Sequence, residues 1–328
     1  IKVLPPTVPP YGDLDLGRNL LALRLDANGD PKPESPSAIE TLMVSPLAWL
    51  LQRVHAEPQL WAPDDADVML LGTLSHKVFE EIFTENKPLP KAKAVPKLVD
   101  KTLERVIRTM APFLSSATWR VERRQLRSEL TNAALTWLDV LNSLDAEVLG
   151  TEKWLWGTLD GVPIHGQADA LLGLPGSRVL IVDYKKSSAS RRRTRMEKGF
   201  ESQVNLYRIM LDTGGLKGME DAELTQHLHA STQTGIVYFT MNDATSLTDT
   251  PLADSAAVPG WDPVAGDVSS QAMALIRQRL GALSKGKLQL NRLGDAEFFD
   301  RQAGVKPYAL EMTPLTSLFM LLPDGVGS

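Results

Sequence analysis

The chain has 328 residues, 43% hydrophobic and 23% charged, with a net charge of −5 at neutral pH and no cysteine. That composition fits a globular protein with one large core or two modest ones. It excludes disulfides, thiolate zinc sites and cysteine-ligated iron–sulfur clusters, and any affinity for a polyanion must come from basic residues concentrated locally.

No run approaches the ~20 apolar residues of a membrane span and no signal-peptide pattern opens the chain, so a cytoplasmic protein without a membrane partner is expected. The opening Ile1-Lys2-Val3 lacks an initiator methionine. A segment of a longer protein is therefore expected, with processing as the alternative.

Residues 1–34 are rich in proline and glycine and read as an arm or linker with a short strand at Leu20–Leu25, a partly ordered tail being the alternative. Ser35-Pro36 opens a helix, with serine as cap and proline in the first turn, and Ser45-Pro46 breaks it before a second helical stretch. Residues 72–83 form an amphipathic helix: Leu74, Val78, Phe79, Ile82 and Phe83 share one side, and His76 and Glu80 share the neighbouring one. Taken alone, His76 reads as a hydrogen-bonded structural histidine. Further helices are expected over 97–110 and 121–147, giving a helical subdomain over 35–150.

From Thr151 the period changes. Strands are expected over 154–159, 162–172 and 178–185, joined by turns at Asp160-Gly161 and Pro175-Gly176. A basic loop follows, then a helix over 201–212 and a strand over 235–240. Residues 242–269, with Asp243, Asp249, Asp254 and Asp262, read as a long surface loop. A helix over 271–283 and a tail with an apolar cluster at 315–322 complete a mixed α/β core spanning 151–328.

The chemistry concentrates between Gly166 and Tyr207. Asp169 and Asp183 sit on adjacent apolar runs, and a buried strand over 179–182 would hold Asp183 rigidly. Lys185, two positions on, shares its face while Tyr184 points the other way. Paired carboxylates suit a hard divalent cation, which neutralises phosphate charge and acidifies water; a nearby ammonium orients that water or stabilises the pentacoordinate phosphate. Gln203 and Tyr207 share a helix face, with plain core packing the alternative for Tyr207. Lys185, Lys186, Arg191, Arg192, Arg193, Arg195 and Lys198 form a basic run, ordinarily a solvated loop but here placed to grip phosphates. Trp154 and Trp156 are candidates for base stacking, against the commoner reading of strand tryptophans as core.

The Gly166-x-x-Asp169, Asp183-Tyr184-Lys185 and Gln203-x-x-x-Tyr207 motifs together resemble the RecB-type branch of the PD-(D/E)XK nucleases. Gly72-Thr73-Leu74-Ser75-His76 resembles that branch's helix histidine, and Ser35-x-Ser37-x-x-Glu40 with Ser45-Pro46 resembles the opening of the AddB-type nuclease domain. The similarity spans about residues 35–210, in order. It implies a restriction-endonuclease-like core, a central mixed sheet flanked by helices. It implies His76, Asp169, Asp183 and the Tyr184 carbonyl as ligands of Mg²⁺ or Mn²⁺, Lys185 as catalytic lysine, and Gln203 and Tyr207 as a supporting pair. Glu152 matches a less regular acidic position. The implied reaction is hydrolysis of DNA, single-stranded or at ends, in repair, recombination or defence, with a helicase partner or helicase domain. A non-catalytic DNA- or helicase-binding module on the same fold is the alternative, and an RNA-directed or transposition-type endonuclease a third reading. One departure stands out: Ser45 replaces the first cysteine of the AddB-type iron–sulfur staple, so that cluster is absent. Either packing of 315–322 replaces the staple, or the resemblance ends after Tyr207.

Overall fold

A computed structural model describes residues 13–56, 66–85, 87–216, 222–250, 258–311, 315–316 and 319–320. Its centre is a seven-stranded mixed sheet. The strands are β2 (Glu147–Leu159), β3 (Val162–Leu174), β4 (Arg178–Lys185), β5 (Gly215–Leu216), β6 (Gln233–Thr240), β7 (Thr245–Thr248) and β8 (Trp261–Pro263), in the order β5-β2-β3-β4-β6-β7-β8. Turns carry the meander β2–β3–β4, so these pairs are antiparallel, whereas β4 and β6 run parallel across a helical crossover. A separate pair joins β1 (Leu14–Asp15) to β9 (Lys287–Leu288).

Helices pack on both faces of the sheet, and each side carries its own core. On one side lie α1 (Pro36–Val44), α2 (Pro46–Arg53), α7 (Gln203–Thr213) and α8 (Ser270–Ser284), packed with Val179 and Ile181 of β4. On the other lie α3 (Val68–Ile82), α4 (Val95–Met110) and α5 (Arg120–Ser143), packed with Leu180, Val182 and Tyr184. Burial on both faces explains why β4 reads as an unbroken apolar run, not an alternating one. The helices within 35–150 are thus divided between two layers of the core.

Local chemistry sets the helix starts. Ser35 Oγ accepts from the Ala38 N–H and Ser45 Oγ from the Ala48 N–H, both at 3.2 Å, each ahead of a proline in the first turn. Asp67 caps α3 through the Leu70 N–H at 2.7 Å.

Several expectations need correcting. Residues 20–23 form a 3₁₀ turn, not a strand, because Leu20 is drawn into the core and lies 1% exposed. The long helix ends at Ser143, since Asp145 turns the chain at positive φ and Glu147 already begins β2. The basic segment is a helix, α6 (Ala189–Glu197), not a loop. The polar stretch after Asn242 contributes β7 and the edge strand β8, and its acids have partners: Asp249 takes Arg208 in a two-pronged pair at 2.6 and 2.7 Å, and Asp262 pairs with Arg193. Asp254 lies outside the described residues. Trp154 and Trp156 stand 43% and 49% exposed on the sheet and are not core. In the tail, Phe299, Ala303, Val305 and Leu310 join the first core, as do partly buried Phe319 and Met320; the rest of the 315–322 cluster is described only at Leu315 and Thr316.

Candidate active site

β4 delivers Asp183 and Lys185 at its carboxyl end. The last register pair between β3 and β4 is Ala170 with Val182. Beyond it the two strands part, and the side chain of Asp169 fills the gap, its Oδ2 accepting the Tyr184 N–H at 2.6 Å. A carboxylate therefore takes the donor that a continued ladder would have used. The ring of Tyr184 points into the second core, 5.0 Å from Phe79 and 5.7 Å from Trp137, and burial pushes its hydroxyl pKa up.

Asp183 is 5% exposed. Its Oδ1 accepts from Gln203 Nε2 at 2.6 Å, and Lys185 Nζ stands 2.6 Å from Oδ2 as an ion pair. The Gln203 amide also donates to the Tyr207 hydroxyl at 3.2 Å, and that hydroxyl donates to the Gln167 carbonyl at 2.9 Å. A relay thus runs from β3 through α7 to β4. Burial raises the Asp183 carboxyl pKa against the pull of Lys185, with Asp169 adding to the rise.

From the opposite layer, α3 brings His76 Nδ1 to 3.4 Å from Asp169 Oδ1. Burial alone would lower the imidazole pKa; the Asp169 carboxylate outweighs it and the net shift is upward. Glu152 completes an acidic side. Its backbone is left-handed, with φ at +52°, and its carboxyl is pushed up to about 7 by burial and by Asp169 and Glu80.

His76, Asp169, Lys185, Glu152 and Glu40 line one open cleft of about 880 Å³. Glu40 comes from α1 and pairs with Arg195. Burial would raise its pKa, but the guanidinium holds it below the usual range. Sequence reasoning placed Glu40 in a motif without giving it a role. It missed Glu201, wholly buried and bonded to Arg192, Arg195 and the Tyr238 hydroxyl; no pattern marks that residue.

The basic run expected to grip phosphates is engaged in ion pairs. Lys186 pairs with Glu129, Arg191 with Asp300, Arg192 with Glu201, Arg193 with Glu197 and Asp262, and Arg195 with Glu40 and Glu201. Arg195 is 7% exposed. These cations brace α6 against its neighbours, although Lys186, Arg191, Arg192 and Arg195 do border the cleft.

Among the described residues, no three His, Asp or Glu side chains converge tightly enough to share an ion. His76 and Asp169 meet, while Asp183 turns to Gln203 and Lys185. The donor chemistry nonetheless fits a hard divalent cation. Among the described residues Asp183 Oδ2 meets the Lys185 ammonium and no other donor, and two carboxylates suit Mg²⁺ or Mn²⁺, the imidazole favouring the softer Mn²⁺.

A family model described as the PD-(D/E)XK nuclease superfamily matches residues 33–298. The match continues well past Tyr207. No curated protein matches the chain.

Proposed function

The chain belongs to the PD-(D/E)XK nuclease superfamily, and from that premise we propose that it is a deoxyribonuclease of the RecB/AddB type, cutting single-stranded DNA or DNA ends. Superfamily membership points to nuclease chemistry in general, usually phosphodiester hydrolysis with Mg²⁺ or Mn²⁺. The observation that carries the finer reading is the grouping at one cleft of Asp169 and Lys185 with His76 from a distant helix, Lys185 being paired in turn with buried Asp183.

His76, Asp169, Asp183 and the Tyr184 carbonyl would hold the cation, which supplies positive charge to the phosphate and a water acidified towards hydroxide. Gln203 fixes one Asp183 oxygen, leaving the other to face Lys185. The Lys185 ammonium would sit beside the reacting phosphate and balance the extra negative charge that develops as the attacking oxygen adds. Tyr207 holds the Gln203 amide in orientation from behind.

The test is cleavage of end-labelled single-stranded DNA with Mg²⁺ or Mn²⁺. Asp183→Ala and Lys185→Ala are each expected to lower the rate by at least about 100-fold, with the fold retained by circular dichroism. Equal cleavage by all three proteins would remove the reading. The alternative, a non-catalytic DNA- or helicase-binding module, draws support from Asp183 being engaged by Lys185 and Gln203 and from the neutralised basic helix. It would be favoured by a wild type that binds DNA with the cation present and never cuts.

A further inference from the structure

Beyond residue 298, where the family match ends, the chain returns to the cleft. Gly304, Val305, Lys306 and Tyr308 form part of its wall. This stretch is firmly seated. Val305, Ala309 and Leu310 are buried in the first core. Gly304, at φ +67°, lies so close to α6 that an added Cβ would come within 2.8 Å of the Arg195 nitrogen. Tyr308 nevertheless stands 60% exposed, with the Lys306 ammonium 5.2 Å from its ring centroid.

Other parts of the cleft lining are also apolar and open to solvent. Val68 and Met69 at the start of α3 are 75% and 81% exposed, and Met110 at the end of α4 is 45% exposed. The cleft therefore combines charged groups at His76, Asp169 and Lys185 with uncovered apolar ones. An unpaired nucleic-acid strand has that same division, phosphates on one side and bare base faces on the other. A duplex keeps its base faces inside the stack. Aromatic rings beside a cationic groove are how single strands are held without sequence preference.

We propose that Tyr308 stacks on a base next to the scissile phosphate, with Lys306 alongside the backbone, so that this wall selects unpaired DNA. The inference rests on the nuclease reading above and adds the residue that tells an unpaired strand from a duplex.

The test uses the full chain and a labelled oligonucleotide of about 12 nucleotides, alone or as a blunt duplex. Binding is followed by anisotropy with Ca²⁺ and cleavage with Mg²⁺. Tyr308→Ala is expected to weaken single-strand binding about 5- to 100-fold, raising KM more than it lowers kcat. Duplex affinity should stay unchanged, and Tyr308→Trp should restore single-strand binding. A single abasic site walked along the strand should cost wild-type binding most at one position, and Tyr308→Ala should erase that dependence. If wild type and Tyr308→Ala bind and cut single strands alike, the proposal is overturned and the nuclease reading stands. If Tyr308→Ala binds more weakly and neither protein cuts, the stacking of Tyr308 on an unpaired base stands and the nuclease reading falls. No single-strand binding by wild type overturns the proposal, and the nuclease reading falls with it if the blunt duplex is not cut either.

Discussion

At the scale of single residues, the Tyr207 hydroxyl ties β3 to the carboxylate of β4. It donates to the Gln167 carbonyl and accepts from Gln203, whose amide reaches Asp183. Tyr207→Phe keeps the packing and deletes both bonds, leaving a buried carbonyl and amide short of a partner. A stability loss of about 1–2 kcal/mol is expected from urea denaturation, with a lower kcat because Gln203 loses its second anchor. The Glu40–Arg195 pair gives a pH prediction. The folded Glu40 pKa lies below its ordinary 4.5, so the ionised side chain stabilises the fold fully above that value. The contribution is lost as pH falls through the depressed folded value. The gap in melting temperature between wild type and Glu40→Gln should therefore be widest near neutrality and shrink below pH ~4.5.

At the scale of elements, the close approach of α7 to the sheet decides which residues fit. A Cβ at Gly166 would come within 2.8 Å of the Tyr207 ring and 3.2 Å of Pro36. Gly166→Ala should displace Tyr207, costing about 1–3 kcal/mol by overpacking and lowering cleavage further than the stability loss explains. Thermal melting read beside initial rates checks this. Gly166 shows why part of the fold was readable in the sequence: the glycine of Gly166-x-x-Asp169 is required by a helix that packs directly on its strand. β4 was legible to its last residue because burial on two faces leaves an apolar run bounded by turns. α6 was not, since arginines carry no hydrophobic period and this helix is fixed by ion pairs with distant acids. β7 and β8 were missed because strands of only four and three residues leave little pattern. The contact between His76 and Asp169 was accessible only through motif order, because spacing along a helix does not say which strand that helix will meet.

At the scale of the whole molecule, the candidate site straddles the sheet. His76 belongs to a helix of one layer, Gln203 and Tyr207 to a helix of the other, and Asp169 and Asp183 to the strands between. Any ligand bridging His76 and the two acids would be linked to global unfolding. At a hundred times its dissociation constant, an ion binding only the folded form adds about 2.7 kcal/mol. Mn²⁺ should thus raise the melting temperature of wild type, EDTA should reverse the rise, and Asp183→Ala should abolish it; a wild type indifferent to Mn²⁺ would count against this ligand set. The same straddling has a practical consequence. A bolt driven through three plates stiffens all of them, so the chelated protein should be nicked by protease sooner than its ion-loaded counterpart, and the earliest cuts should fall around α3, the plate the bolt no longer clamps.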